Sequence, residues 1–149
     1  MFALRRLPRI APLLLAFIIM AAISGCSKPS VTFVDTGASY DETSVMTIAE
    51  GVDMSRLAKT LSADAPGLRN KALTELRSSG GNAAPVADML TRTFSAETRG
   101  VQVYVERATF GGKPAVVMIE AAGPKEGKLT AKRVCVLDEQ GGVLFVGSR

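Results

Sequence analysis

The chain contains no histidine and only two cysteines among its 149 residues. Histidine is the commonest general base and a frequent metal ligand, so its absence makes the usual catalytic and zinc sites improbable. No group of cysteine and acidic residues has the spacing of a metal site. The glycines of 78–82 lack the Lys-Ser or Lys-Thr pair of a phosphate-binding loop, and the run is typical of a helix end. We therefore expect no enzyme, no catalytic residue, no cofactor and no metal.

Long apolar runs are also missing, apart from one near the start of the chain. This run, Leu13–Ile23, has 11 residues, whereas a membrane-spanning helix needs about 20. Three arginines precede it, and Ser24 and Gly25 follow it directly before Cys26. A basic segment, a short apolar segment and small residues are the three parts of a secretory signal peptide. A retained signal anchor is the alternative interpretation.

The sequence Ile23-Ser24-Gly25-Cys26 resembles a bacterial lipobox, the site at which lipoprotein signal peptidase cuts. The resemblance implies that residues 1–25 are removed and that Cys26 is the lipid attachment site, with a diacylglycerol on its sulfur and often an acyl chain such as palmitate on its amino group. Each buried methylene adds about 0.8 kcal/mol, so several chains give a durable membrane anchor. The protein would then lie in the cell envelope, on the extracytoplasmic side. In bacteria with two membranes, an Asp directly after the lipidated cysteine favours retention in the inner membrane. This chain has Ser27 at that position, which favours the outer membrane.

Neither sign of charge predominates once the signal peptide is removed. The chain has 18 basic and 14 acidic side chains, and three of the basic ones lie in residues 1–25, which leaves 15 against 14. Nucleic-acid-binding domains have a marked basic excess, so we expect no nucleic-acid partner. The densest basic group would suit anionic lipid or another envelope polymer, although a solvated loop is the simpler interpretation. This group comprises Lys125, Lys128, Lys132 and Arg133.

The hydrophobic pattern divides the processed chain into two parts. Residues 26–43 are rich in turn-forming residues, which predicts a lipid-anchored tether with at most a short extended piece at 31–34. Residues 44–149 are long enough for a single domain with one core. Within it, residues 44–52 fit a helix or a strand equally well, because their apolar residues have helical spacing but several are β-branched.

The first half of this domain has a helical period and the second half a strand period. Three helices are predicted, the first capped by Asp53, the second beginning at Pro66 and the third beginning near Pro85. Four strands are predicted at 101–106, 114–122, 132–137 and 143–146. Glycine-rich connections between the first two and the last two predict tight hairpins. The expected fold is therefore α+β, with three short helices packed on one face of a four-stranded antiparallel meander.

Three residues of the predicted strands are possible sites. Cys135 lies in an apolar strand and is predicted to be a buried hydrophobic residue without a chemical role. Glu106 and Glu120 are either a carboxylate pair across adjacent strands, as in a hydrolase, or two separate solvent-facing side chains. The second interpretation is favoured, because Arg107 or Lys113 is near enough in sequence to neutralise one of them.

Two functions are compatible with these features. The favoured one is a membrane-anchored envelope lipoprotein that acts without catalysis, as a protein-interaction or accessory module for another envelope protein. The alternative is an envelope module that binds a small ligand in a pocket between the sheet and the helices. A closed core would favour the first function, and a deep cavity lined by both layers would favour the second.

Overall fold

The computed structural model describes residues 30–95 and 99–149. The predicted signal peptide at 1–25 and the predicted lipid attachment site, Cys26, lie outside the described residues. The described residues form five strands and three α-helices: β1 (Thr32–Tyr40), α1 (Glu42–Gly51), α2 (Ala65–Ser78), α3 (Ala83–Thr93), β2 (Val101–Phe110), β3 (Lys113–Ala122), β4 (Ala131–Asp138) and β5 (Val143–Ser148). None of these helices combines the length and the apolar character needed to cross a membrane.

The strands form one sheet in the order β1-β2-β3-β4-β5. Strands β2 to β5 pair with their neighbours in antiparallel fashion, which confirms the predicted meander. Gly111 and Gly112 both have positive φ angles, 55° and 78°, in the tight turn between β2 and β3. This backbone conformation is the one that a two-residue hairpin turn requires and that glycine adopts without strain.

The prediction of four antiparallel strands is wrong in one respect, because β1 is a fifth strand and pairs with β2 in parallel. It lies within residues 26–43, where a tether was expected. Its side chains are exposed or half-buried throughout, so it shows little of the alternation that identifies a half-buried strand. Its place in the sheet comes instead from long-range backbone pairing, with Thr32 opposite Tyr104 and Tyr40 opposite Phe110.

Helix α1 resolves the ambiguous residues 44–52 in favour of a helix. Asp41 caps it: its carboxylate accepts from the Ser44 backbone N–H at 2.8 Å, and the Ser44 hydroxyl accepts from the Asp41 N–H at 2.8 Å. These hydrogen bonds hold the pKa of Asp41 below its usual value. Reciprocal capping of this kind satisfies two backbone donors that the helix itself leaves unpaired.

The helix predicted to begin at Asp53 does not form. The Asp53 carboxylate instead accepts from the Ser55 N–H at 2.8 Å, which makes a local turn. Farther on, the backbone bonds to the loop between β3 and β4: the Leu129 N–H donates to the Thr60 carbonyl at 3.0 Å, and the Ser62 N–H to the Gly127 carbonyl at 2.8 Å. These tertiary bonds occupy backbone groups that a helix would have used.

Helices cover both faces of the sheet, not one face as predicted. Helices α2 and α3 pack on the face that includes Val116 and Met118 of β3. Helix α1 packs on the opposite face, where Val45 and Ala49 join the cluster that contains Val117. Because successive strand residues point to opposite faces, β3 is buried on both sides and has two cores. The protein is therefore a three-layer α/β/α arrangement of the α+β class.

Candidate functional site

Cys135 is a buried residue of β4, as predicted, with 4% of its surface exposed. It packs in the core beneath α2 and α3. Burial raises the pKa of its thiol to about 11, and the nearby negative charge of Glu120 adds to this effect. The reactive thiolate is therefore disfavoured at neutral pH.

Glu106 and Glu120 are both completely buried, so the prediction that they face solvent is wrong. They are not a hydrolase-like pair either. Glu106 pairs across the β2–β3 ladder with Val117, on the α1 face, whereas Glu120 pairs with Gln102 on the opposite face. Each carboxylate has its own set of donors.

Glu106 is held by hydroxyl groups. Its carboxylate accepts from the Tyr104 hydroxyl at 2.7 Å, from the Tyr40 hydroxyl at 3.2 Å and from Thr36. Burial raises the pKa of Tyr104 well above its ordinary value, and the hydrogen bond to Glu106 and the negative charge of Glu106 raise it further. The phenol therefore stays protonated as a donor. Since Thr36 and Tyr40 belong to β1, we call this group the Glu106 clamp, because it fastens the edge strand to β2.

Glu120 is held by a guanidinium group. Arg133, opposite it on β4, donates from both Nε and Nη2 to one carboxylate oxygen. Burial raises the pKa of Glu120, while the positive charge of Arg133 opposes that shift. Gly100 packs directly against the carboxyl group, where a Cβ atom would overlap it. Arg69, itself buried, donates to the Phe94 carbonyl at 2.7 Å and so fixes the end of α3 beside this pair.

An open groove runs along the sheet beside the end of α3, on the face that contains Cys135. Its volume is about 570 Å³. One end is basic and the other is apolar. Its lining residues are Phe94, Arg99, Gly123, Arg133, Cys135, Val143 and Val146. Arg99 is fixed by a 3.1 Å hydrogen bond from its guanidinium group to the Lys125 carbonyl. Sequence periodicity gave no sign of this groove, since it brings together residues of β4 and β5, the end of α3, and the segments just before β2 and just after β3.

Strand β5 borders the groove and exposes large apolar side chains. Val143 is 58% exposed, Val146 54% and Leu144 40%. We call these three residues the β5 surface. The strand contains no charged residue and ends the sheet of the described chain, so its outer backbone edge has no strand partner there. An uncharged edge strand of this kind is a template for pairing with another chain.

The opposite edge of the sheet is protected. Strand β1 has an irregular register between Asp35 and Ser39, with Gly37 in the left-handed conformation (φ 65°). Asp35 is also engaged, since it pairs with Arg107 at 3.2 Å and accepts from Asn82 at 2.6 Å. Bulges and charged side chains are the usual ways in which natural proteins block an edge strand. The two edges therefore differ, and β5 is the open one.

The four basic residues predicted as one group at 125–133 do not form a single surface, because two of them belong to β4. Lys132 and Arg133 are successive residues of β4 and point to opposite faces. The Lys132 ammonium donates to the carbonyls of Ala49 and Glu50, at 2.7 and 3.0 Å, and so caps the C-terminus of α1. Arg133 is paired with Glu120. Only Lys125 and Lys128 remain as exposed lysines of the loop.

A smaller cavity of about 160 Å³ lies between α3 and the sheet, near Pro85, Met89 and Arg107. In the described part of the chain, no three cysteine, histidine or acidic side chains are grouped closely enough to hold a metal ion.

Comparison with protein-family models, with curated proteins and with solved structures found no match for this chain.

Proposed function

We propose that this protein is a lipid-anchored lipoprotein of the bacterial cell envelope whose domain acts without catalysis, by binding another envelope protein through β5. The resemblance of residues 23–26 to a lipobox supports the anchor at Cys26. The observation that supports protein binding is the β5 surface, in which three large apolar side chains are exposed on the one unprotected edge of the sheet.

Exposed apolar residues scattered singly are normal, but a contiguous group marks an interaction site. Val143 and Val146 both line the groove, and Leu144 lies between them on the same edge strand. A segment of the partner added to β5 would make backbone hydrogen bonds along the edge and would cover these side chains. The arginines at the end of the groove would favour an acidic residue in that segment.

A photo-reactive amino acid at Leu144 tests this surface in the native membrane. The same amino acid at Leu61, which is 52% exposed but lies outside β5, is the matched control. We expect a discrete protein adduct at Leu144 and none at Leu61, and we expect Val146→Lys to abolish the adduct, because an edge lysine blocks strand pairing. The same adduct at both positions, or an adduct unaffected by Val146→Lys, would contradict the proposal.

Metabolic labelling with a fatty-acid analogue tests the anchor separately. The protein should be labelled, and Cys26→Ser should abolish the label and leave unprocessed precursor. Equal labelling of the variant would exclude Cys26 as the attachment site.

The alternative function, a small-ligand module, has weaker support. The cavity between α3 and the sheet, at about 160 Å³, is below the roughly 300–1,000 Å³ of ordinary ligand pockets. The larger groove is within that range but lies open at the side of α3. Its basic and apolar ends would suit an amphipathic anion. A micromolar dissociation constant for lauric acid that Arg133→Gln weakens would favour this alternative.

A further inference from the structure

We infer that one end of the sheet, the end at which β1 begins, lies against the membrane and contacts anionic lipid headgroups through Lys59, Lys125 and Lys128. The inference rests on the anchor in the proposed function and adds a second surface to it, distinct from β5. We call this group of lysines the basic end.

The topology brings the basic end and the start of β1 together. Strand β1 is parallel to β2, so its first residue, Thr32, lies level with Tyr104 near the start of β2. The end of β3 and the start of β4 lie at the same end of the sheet, where Ala122 pairs with Ala131. The loop that joins β3 to β4 therefore projects from the end of the sheet at which the chain enters it.

The link between the anchor and the sheet is short. Five residues separate Cys26 from Thr32. An extended chain spans at most about 3.5 Å per residue, so this link reaches no farther than about 20 Å, whatever its conformation. Strand β4 alone, with eight residues, is about 25 Å long. The end of the sheet at which β1 begins is thus held near the lipid. The opposite end lies farther from the anchor than the link can span, so it contacts the membrane surface less readily.

The three lysines of the basic end are exposed and available. Lys125 and Lys128 lie in the β3–β4 loop, and Lys59 lies beside it, because the neighbouring Thr60 carbonyl accepts from the Leu129 N–H. None of the three is in an ion pair within the described chain. Acidic residues share this end: Asp64 and Glu126 are exposed, Glu50 is exposed and pairs with Arg149, and Glu75 accepts from the Ser30 N–H just before β1. Arg99 adds a further positive charge and fixes the loop through the Lys125 carbonyl.

The opposite end of the sheet has the opposite charge. Asp41 and Glu42 follow β1, and Asp138 and Glu139 lie at the β4–β5 turn, against the positive charges of Lys113 and Arg107, and Arg107 pairs with Glu139 at 3.9 Å. A molecule with this asymmetry orients its basic end toward an anionic surface. Each basic residue close to such a surface strengthens the contact about fivefold, and the effect falls off within a Debye length. The partner is therefore an anionic membrane and not a neutral one.

Energy transfer to a headgroup dye measures which end of the sheet faces the lipid. The acylated full-length protein is reconstituted in vesicles of phosphatidylcholine alone, or with 30% phosphatidylglycerol, and a donor is attached at Thr130→Cys or at Gln140→Cys. These positions lie just beyond opposite ends of β4. Labelling is selective because Cys135 is buried.

In the anionic vesicles, we expect transfer at position 130 to exceed transfer at position 140 by at least about twofold, since the strand between them is about 25 Å long. The difference should shrink in neutral vesicles, in 0.5 M salt, and in the Lys125→Gln/Lys128→Gln variant. Lys113→Gln, the matched change at the opposite end, should leave it unchanged.

Equal transfer at the two positions in anionic vesicles would overturn the inference, even for a protein that is fully acylated and still binds its partner. A difference that does not depend on anionic lipid or on the two lysines would also overturn it, because the tether alone would then set the orientation. A mass spectrum without acyl chains would overturn the anchor in the proposed function, and this inference with it.

Discussion

Substitutions in the Glu106 clamp test most directly how β1 is held to the rest of the sheet. Glu106 is completely buried, and the donors to its carboxylate are hydroxyl groups. A hydrogen bond to a charged group contributes about 1.5–3 kcal/mol, against about 0.5–1.5 kcal/mol for a neutral pair. We therefore expect Tyr104→Phe, which removes the 2.7 Å bond, to lower the free energy of unfolding by about 2 kcal/mol. Tyr40→Phe removes only longer bonds of 3.2 Å and should have a smaller effect.

A double-mutant cycle separates this effect from the general cost of deleting a hydroxyl. Glu106→Gln replaces the carboxylate with a neutral amide of the same shape, so Tyr104→Phe in that background should cost less than about 1.5 kcal/mol. Urea unfolding at pH 7, followed by circular dichroism, gives the four free energies, and unchanged m-values show that the unfolding transition is comparable. If Tyr104→Phe costs the same with Glu106 as with the amide, the carboxylate is not the acceptor and the clamp is refuted.

Four further predictions use the same unfolding assay or simple chemistry. Because the folded pKa of Tyr104 is raised above its unfolded value of about 10, its contribution is complete below that pH and is lost as pH rises, so Tyr104→Phe should flatten the loss of stability in alkali. Gly100→Ala should destabilise by about 1–3 kcal/mol through overlap with a buried carboxyl group, whereas Gly67→Ala, on an open helix surface, should stabilise by about 0.5–1 kcal/mol. Cys135 should be alkylated slowly in the native protein and fast after denaturation; equal rates would show that the thiol is accessible. Removal of residues 1–40 should abolish the cooperative thermal transition, and a protein that still melts sharply without them would show that β1 is dispensable.

The elements that were predicted correctly are those whose signals are local. Two-residue alternation and glycine turns predict the meander β2–β5, and the positive φ angles of Gly111 and Gly112 are what those turns require. Helix α2 begins with a proline in its first turn and ends at the glycines of 78–82, as predicted. Patterns of this kind depend only on neighbours in sequence, so the elements that they predict also form in the folded protein.

The elements that were missed depend on contacts between distant residues. Strand β1 is paired by backbone bonds to residues about 70 positions later and has no apolar face to reveal it. Helix α1 does have a local signal, the capping pair of Asp41 and Ser44, but Asp41 lies within residues 26–43, whose turn-forming residues predict a tether. The turns at 53–61 replaced a helix because the β3–β4 loop bonds to their backbone.

The burial of Glu106 follows from the same omission. With helices on only one face, the polar positions of an alternating strand face water, and Glu106 is then an ordinary surface residue. The continuous apolar run Val116–Ile119 in the adjacent strand indicated otherwise, because a strand that is apolar at every position is buried on both faces. Once α1 covers the second face, Glu106 must find donors inside the protein, and two of the three hydroxyls that donate to it, those of Thr36 and Tyr40, belong to the edge strand.

The clamp therefore links the two proposed surfaces. By fastening β1, it closes one edge of the sheet, and the register shift between Asp35 and Ser39 keeps further strands from adding there. If Cys26 is lipidated as proposed, the same strand receives the chain from the anchor, and the closed edge is then the one next to it. Strand β5 lies four strands away, at roughly 4.8 Å per strand, or about 19 Å across the sheet. In the proposed arrangement, a partner that adds to β5 would extend the sheet sideways from the edge next to the anchor, the basic end would stay against the lipid, and neither surface would obstruct the other.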